Sequence, residues 1–507
     1  MFYLRQSGIM PKMRRHPLLY EVNARLFIQR VSEKYHRALT LAMVPQEEWQ
    51  LLARRGFDLL WLMGVWQRSP GARQQALFNP ALRRQYDQVL PGWTDDDIAG
   101  SPYAILDYSL DPALGEPTEL AQLKSKLNQL GLGLMLDFVP NHLARDHPWT
   151  ISHPQWFVQG NETNVLAHPE WFFSPDRRLY FAHGRDPNFP PWTDTVQVNF
   201  YSPDLRQALI TEILKIAEVA DGVRCDMAML ALNDVFEEVW GAMVKGYPRP
   251  QTEFWAEAIG QVKQRQPDFL FLAEVYWGLE HKLQPMGFDF TYDKPFYDRL
   301  LSSTPSDIRS HLMSNARYQE RSARFIENHD EPRAVTAFGR ERSLAAAVVL
   351  ATVPGLHLFH DGQLEGKRIR LPIQLVREPR EAADAEVMQF YDRLLKVVNQ
   401  SAFHNGEWSL IEVSQAGEDN KSHHNLLAWF WHHAKQRKIV VVNYSPSPGQ
   451  GWLKLPLPLK TPGRIMFHDE LTGVTHTRDT EEMSRQGLYV NLDPYHAQIL
   501  DVVGGGS

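Results

Sequence analysis

The stretch DGVRCDMAM, residues 221–229, places an arginine and an aspartate at the end of a short apolar run. Side chains alternate along a strand, so Arg224 and Asp226 share one face and Cys225 lies on the other. Taken alone, this pair fits an ordinary structural salt bridge, and Cys225 fits a small buried hydrophobic residue. Its interpretation depends on whether the rest of the chain repeats the pattern.

Apolar runs of this kind recur along most of the chain. They are GFDLLWLMGVW (56–66), GLGLMLDFVP (131–140), GVRCDMAM (222–229), DFLFLAEVYW (268–277), ARFIENHD (323–330) and PGLHLFHDG (354–362). Amphipathic helical patterns lie between them, as at 117–130 and 204–220. Strand and helix signals that alternate over about 380 residues predict an α/β fold in which a parallel sheet closes into a (β/α)8 TIM barrel.

Two regions interrupt this alternation and predict the domain boundaries. Residues 143–203 are rich in Pro, His, Trp and Asn and predict an insertion after the third strand, and residues 402–503 carry β-branched, period-two runs that predict a C-terminal antiparallel β-sandwich domain. The catalytic barrel is then expected at 1–142 plus 204–401. The final GGGS, 504–507, has the composition of a linker or tag.

Composition excludes several functional classes. A formal net charge of −7 argues against a nucleic-acid or anionic-membrane partner held by charge. The single cysteine excludes an internal disulfide framework and fits a reducing compartment. The chain contains no long apolar run and no apolar signal segment near its start, so we expect a cytoplasmic protein. The oligomeric state stays open.

The acidic residues at the strand ends carry the functional prediction. In a parallel barrel the C-terminal ends of all strands meet at one rim, so Asp137, Asp226, Glu274 and Asp330 are expected to converge there. Crowded carboxylates raise one another's pKa, whereas a nearby Arg224 favours ionisation. Retaining glycoside cleavage requires a pair of carboxyl groups with different pKa values, one ionised and one protonated. Each residue alone also fits a structural role, and Asp137 fits it best.

Four segments in order resemble the signatures of the α-amylase superfamily, glycoside hydrolase family 13. They are DFVPNH (137–142), DGVRCD (221–226), FLAEVY (271–276) and FIENHD (325–330). The resemblance extends over roughly 17–503. It implies that Asp226 is the catalytic nucleophile, that Glu274 is the general acid/base and that Asp330 stabilises the oxocarbenium-like transition state.

The resemblance also implies a substrate-binding set. Arg224 would keep Asp226 ionised, His142 and His329 would bond sugar hydroxyls, and Tyr103 would stack on the sugar ring; Asp137 is included in the same set. Asn141 corresponds to a position that ligates calcium in many members, so calcium stays open, whereas the chemistry itself requires no cofactor.

The sequence departs from the family beyond the nucleophile. Met229 and Leu230 stand where many α-amylases have a Lys-His pair that contacts the acceptor-side glucose. This change casts doubt on ordinary endo-acting starch hydrolysis. Most aromatic residues of the insertion are expected to pack within it, and Trp192 and Phe189 are the best candidates for a pocket wall.

Three functional hypotheses follow. The first is a retaining α-glycoside hydrolase that acts on α-glucans or maltooligosaccharides through a covalent glycosyl-enzyme intermediate. The second is a transglycosylase, or a glucosyl or maltosyl transferase, on the same scaffold. The third is a catalytically inactive barrel that serves as a binding module, which the retention of all three carboxylates disfavours.

Overall fold

The structure, a computed structural model, describes residues 13–175, 178–244, 246–457 and 462–503. Eight parallel strands form a closed barrel in which each strand pairs with its neighbours in chain order and the last pairs with the first. The strands are β1 (Leu18–Asn23), β2 (Leu59–Met63), β3 (Gly133–Phe138), β4 (Gly222–Cys225), β5 (Leu270–Ala273), β6 (Phe290–Tyr292), β7 (Ser322–Arg324) and β8 (Leu356–His360). The (β/α)8 barrel predicted from the sequence is therefore confirmed; the predicted linker 504–507 lies outside the described residues.

Helices cover the barrel and its excursions. Those up to β8 are Ala24–Lys34, Gln46–Arg55, Pro70–Phe78, Pro80–Val89, Glu119–Gln129, Trp149–Ser152, Glu162–Ala167, Pro203–Val219, Asn233–Trp240, Phe254–Arg265, Glu280–Leu283, Lys294–Ser302, Pro305–Leu312, Ala316–Glu320, Ala334–Phe338 and Arg340–Thr352. The helices after β8 are Ala385–Val398, Ser401–Asn405 and Thr480–Gln486. Within the described part of the chain, no helix combines the length and apolarity needed to cross a membrane.

The long helix Pro203–Val219 shows how the sequence specifies these elements. Ser202 accepts a hydrogen bond from the Leu205 amide, and Pro203 occupies the first turn, where its missing N–H costs nothing. Leu209, Ile213 and other apolar residues at helical spacing are buried against the barrel. The cap and the apolar stripe therefore fix where the helix starts and which face it buries.

Strands β1 and β6 are absent from the strand pattern predicted from the sequence. β6 has three residues, too few to produce a periodic signal. β1 carries Glu21 within an otherwise apolar run and passes directly into helix Ala24–Lys34. β7 ends at Arg324, so Asp330 lies on the following loop, six positions beyond the strand.

The segment after β3 contains short antiparallel sheets. His142–Ala144 pairs with Thr195–Gln197, and Tyr180–Ala182 pairs with Gln159–Gly160 and with Phe172–Phe173. Aromatic residues pack within it: the rings of Trp149 and Trp156 are edge to face with centroids 5.0 Å apart. A further excursion follows β2, where Trp66–Arg68 pairs with Ile105–Leu110 around the two helices between 70 and 89.

The C-terminal strands form two antiparallel sheets. One comprises, in spatial order, Glu407–Leu410, Leu426–His433, Gln436–Asn443, Ala497–Val503, Arg464–Asp469 and Thr475–Asp479; the other comprises Glu412–Ser414, Gly449–Lys454 and Leu488–Leu492. Phe430 and Val441 of the first sheet and Leu453 and Val490 of the second share one apolar core, as in a sandwich. Alternate residues of the larger sheet face the barrel, where Trp431 Nε1 donates to the Thr352 carbonyl at 2.6 Å. The predicted C-terminal β-sandwich is confirmed.

Candidate active site

The strand ends bring the predicted carboxylates together at the C-terminal rim of the barrel. Asp226 is the first residue after β4, and Glu274 is the first residue after β5. Asp137 lies in β3, in register with Arg224 on β4. All three carboxylates are buried, with 2–6% of their surfaces exposed. Burial of so many acids requires a compensating charge.

Arg224 supplies that charge. Its Nη1 lies 2.8 Å from Asp226 Oδ1 and 3.7 Å from Asp137 Oδ1, and its Nη2 lies 2.8 Å from Glu274 Oε2. One fully buried guanidinium therefore contacts both the predicted nucleophile and the predicted acid/base. Asp226 and Glu274 thus share one arginine; retaining cleavage uses a pair of carboxyl groups about 5–5.5 Å apart.

Glu274 is held in a defined orientation. The Met227 amide donates to Oε2 and the Tyr276 hydroxyl donates to Oε1, each at 2.7 Å. Burial outweighs the opposing effect of Arg224 and raises the pKa of Glu274 to about 7. Burial also raises the pKa of Asp226, and the direct bond from Arg224 opposes that rise. A carboxyl with a pKa near 7 is protonated often enough at neutral pH to act as an acid.

His329 links Asp330 to the barrel interior. Its Nε2 lies 3.0 Å from Asp330 Oδ2 and 2.8 Å from the Tyr103 hydroxyl, and its Nδ1 lies 2.5 Å from Glu21 Oε1. Burial disfavours the imidazolium, but Asp330 and Glu21 raise the pKa of His329 to about 10. Burial likewise opposes ionisation of Asp330, but the charge on His329 outweighs it and lowers the pKa of Asp330. Asp330 is therefore a fixed anion at the rim.

Two adjoining cavities open at this rim, and five of the eight predicted site residues line them. They are Tyr103, His142, Asp226, Glu274 and Asp330. Arg224 and His329 lie directly behind this surface. The side chain of His142 is buried, which lowers its pKa to about 3 and keeps the ring neutral, so it can both donate and accept.

Asp137 does not line either cavity. Its Oδ2 accepts a hydrogen bond from the Gly64 amide at 3.1 Å, and burial raises its pKa to about 6. Its Oδ1 lies 3.7 Å from Arg224 Nη1, the nitrogen that also contacts Asp226. Asp137 therefore supports Arg224 in the structure. Its predicted contact with substrate stays a prediction.

The residues around Asn141 do not fit a calcium site. The Asn141 side chain is engaged with Gln197, whose Nε2 donates to Asn141 Oδ1 at 3.0 Å. Calcium needs about six to eight oxygen ligands. Across the described residues, no group of three or more His, Cys, Asp or Glu side chains is arranged to hold a metal ion.

Met229 and Leu230 do not line either cavity, although the family resemblance implied a position beside the acceptor sugar. They belong to the 3-10 turn Ala228–Ala231 and are 0% and 3% exposed. Met227 lines the cavities instead, and its positive φ of 41°, uncommon for a non-glycine residue, turns it away from the buried turn. The apolar pair therefore packs the barrel and has no direct access to a sugar.

The predicted aromatic wall is confirmed. Trp192 lines both cavities and Phe189 lines the larger one, where 65% of its surface is exposed. Trp277, with φ of 63° and 43% exposed, lines the same cavity from the loop after β5. Trp277 was not predicted from the sequence, because nothing in its local pattern separates a cavity-facing tryptophan from a packed one.

Glu21 was also missed, although a signal was available. It follows the apolar run at 18–20 just as Asp226 and Glu274 follow theirs, and it is fully buried. Tyr276 had no such signal, because its bond to Glu274 depends on the conformation of the loop after β5.

The fold and the site define a (β/α)8-barrel protein with closely paired carboxylates at the C-terminal rim. The sequence model of the α-amylase catalytic domain matches residues 56–369, more than half of the chain. The chain therefore belongs to the α-amylase family.

Relatives in sequence have different named activities. α-Amylase MalA of Haloarcula japonica is 23% identical over 91% of this chain and 60% of its own length. The α-1,4-glucan:maltose-1-phosphate maltosyltransferase of Rhodospirillum rubrum is 25% identical over 79% of this chain and 54% of its own length. The chain thus spans 60% or less of the length of these relatives.

Solved structures agree on the fold. The maltogenic α-amylase AmyB of Thermotoga neapolitana superposes with a TM-score of 0.69 at 19% identity, covering 96% of this chain and 99% of its own. The α-amylase of Geobacillus thermoleovorans in complex with acarbose gives a TM-score of 0.66 at 17% identity, with 97% and 100% covered.

Proposed function

We propose that this protein is a retaining α-glycoside hydrolase or transglycosylase that acts on α-glucans or maltooligosaccharides. The observation that carries the proposal is the guanidinium of Arg224, which contacts Asp226 and Glu274 at 2.8 Å each. Both carboxylates line the smaller of the two cavities, where a sugar would bind. The family membership and the names of the relatives support the same class of substrate.

In the first step, Asp226 attacks the anomeric carbon while Glu274 gives its proton to the departing glycosidic oxygen. The carbon–oxygen bond to the leaving sugar breaks and an ester bond to Asp226 forms. The pKa of Glu274, about 7, suits a group that must first donate and later accept a proton. In the second step, Glu274 takes a proton from the incoming water or sugar hydroxyl, which displaces Asp226.

Asp330 stabilises the positive charge that develops on the sugar ring between these steps. Its anionic state is maintained by His329, which contacts it at 3.0 Å. A negative charge that is already fixed in position stabilises a developing positive charge without reorganisation during the reaction. Tyr103 lies beside His329 with ring centroids 5.5 Å apart and offers its free face to the sugar.

The identity of the acceptor separates hydrolysis from transfer. The larger cavity, next to Glu274 and Asp330, is lined by six carboxylates and only two cations, Lys294 and Arg299. Lys294 is already paired with Asp298 and Glu331. Such a surface repels phosphate, so we propose water or a neutral sugar as acceptor rather than phosphate or a sugar phosphate.

The test is turnover of maltooligosaccharides by the wild type and by Asp226→Asn, with product analysis in the presence and absence of phosphate. Loss of the nucleophile should lower kcat by roughly 10³-fold or more. Asp268→Asn, at an exposed aspartate two positions before β5, is the matched control and should retain full activity. An Asp226→Asn variant that works at the wild-type rate would exclude the proposed mechanism.

A further inference from the structure

The two cavities at the rim differ greatly in size. The smaller has a volume of about 250 Å³, and the larger has a volume of about 1140 Å³. Both are lined by Trp192, Met227, Glu274 and Asp330, so they meet at the catalytic carboxylates. The bond to be cleaved therefore lies where a small compartment joins a wide one.

The smaller cavity holds the groups that would contact the sugar transferred to Asp226. Tyr103, His142 and Asp226 line it and do not line the larger cavity. Its volume is below the roughly 300–1,000 Å³ of clefts that take drug-sized ligands. This space suits one hexose ring.

Ile373 and Gln374, on the loop after β8, line the smaller cavity together with Ser101 and Asp194. The loop is attached to the excursion after β2 by backbone bonds of 2.9 Å, from the Ala99 amide to the Gln374 carbonyl and from the Val376 amide to the Asp97 carbonyl.

Side chains strengthen this attachment. Arg377 binds Asp97 through two hydrogen bonds of 2.7 and 2.8 Å, a bidentate arrangement. Leu375, next to Gln374, is fully buried in an apolar cluster with Ile98 and Leu77. The loop after β8 is thus held in place from both sides of Gln374.

The excursion after β2 is also attached to the segment after β3. Gln75 and Thr193 exchange two hydrogen bonds of 3.0 Å, and Asp146 accepts from the Ser69 hydroxyl at 2.5 Å and from the Gly71 amide at 3.0 Å. The segments after β2, β3 and β8 are therefore joined to one another around the smaller cavity. A sugar chain that extended beyond this cavity would have to pass through these joined segments.

We propose that the enzyme acts on the non-reducing end of its substrate and transfers one glucosyl unit at a time. The small cavity admits only the terminal sugar, and the rest of the glucan or oligosaccharide occupies the wide cavity on the Glu274 side. This inference rests on the proposed function and narrows its substrate to α-glucosides with an unblocked terminal glucosyl residue.

The test uses glycosyl fluorides, because fluoride leaves without help from Glu274. In the Glu274→Gln variant, Asp226 displaces fluoride from the anomeric carbon, the C–F bond breaks, and the resulting ester is hydrolysed slowly for lack of a base. Intact-mass measurement should show a one-hexose adduct with α-glucosyl fluoride and no adduct with α-maltosyl fluoride. A two-hexose adduct would overturn the inference while supporting the proposed nucleophile.

Variants of the joined excursions sharpen this test. In the Glu274→Gln background, Arg377→Ala, or Ile373→Ala combined with Gln374→Ala, should give a maltosyl adduct at least tenfold above the detection limit, where the parent variant gives none. Arg380→Ala is the matched control, because Arg380 lies on the same loop and has no ion pair to any described residue. This variant should give no maltosyl adduct. An adduct level that does not change in either widening variant would contradict the role given to this wall.

Oligosaccharides complete the test with the wild-type protein. Maltoheptaose should first yield products that differ from it by one glucose unit, whereas the same glucan blocked at its non-reducing end should be inert. Cleavage of the blocked glucan would overturn the inference and leave the proposed function standing. Inertness of both glucans, together with no adduct from either fluoride, would overturn both.

Discussion

Glu21 Oε1 lies 2.5 Å from His329 Nδ1, although 308 positions separate the two residues in the chain. The contact exists because β1 closes the barrel against β8, which brings the end of β1 to the loop after β7. Through His329, Glu21 acts on Asp330, the anion proposed to stabilise the charge on the sugar. Glu21 is thus a positioning residue of the proposed reaction.

Glu21→Gln should lower kcat with little change in KM, because Asp330 acts mainly on the charge of the transition state. A hydrogen bond to a charged group is worth about 1.5–3 kcal/mol, so a decrease of roughly 10- to 100-fold is expected. Steady-state kinetics on maltooligosaccharides measure it. Glu33→Gln in the following helix is the control, and an equal loss there, or a change confined to KM, would contradict the assignment.

Tyr276→Phe should shift the alkaline limb of the activity profile to higher pH. The hydroxyl donates to Glu274 at 2.7 Å and favours its ionised form, so its removal raises the pKa of Glu274 above about 7. Since Glu274 must be protonated to act as the acid, activity persists to higher pH. The measurement is kcat/KM across the pH range. A shift of the alkaline limb toward lower pH would show that the Tyr276 hydroxyl raises the pKa of Glu274 instead of lowering it.

His329 should make stability depend on pH. Its pKa is about 10 in the folded protein, raised from 6.5, so its contribution is fully present below pH 6.5 and is lost as pH rises toward 10. Thermal unfolding of the wild type should therefore occur at progressively lower temperature across this window. His329→Gln should flatten that decline. If the unfolding temperatures of both proteins fall in parallel as pH rises, a charged His329 imidazole is not the source of the pH dependence.

Trp277→Ala should weaken binding of the sugars that occupy the larger cavity. Stacking on an aromatic face contributes about 0.5–1.5 kcal/mol, so KM for maltopentaose should rise roughly 2- to 12-fold. α-Glucosyl fluoride carries no sugar in that cavity, and its KM should stay at the wild-type value. Equal increases for both substrates would indicate that Trp277 shapes the catalytic groups instead.

The sequence alone determined the barrel and the main acidic residues of its rim. Apolar runs at regular spacing can bury both faces only in a parallel sheet covered by helices, and parallel strands present their C-terminal ends together. Asp226 and Glu274 could therefore be located from local patterns. The short strand β6 gave no such pattern. Asp330 was predicted at the end of a strand, whereas it lies on a loop six positions beyond β7, because the apolar run that contains it continues past the strand.

Only the tertiary structure decided what surrounds those acids. The bond between Glu21 and His329, the burial of Met229 and Leu230, and the attachment of Gln374 to Ala99 all join residues whose proximity arises from barrel closure or from loop conformation. Local sequence specifies strand period and helix caps, because these depend on neighbouring residues. The volume of the smaller cavity depends on contacts between three segments that are distant in the chain, and no local pattern encodes it.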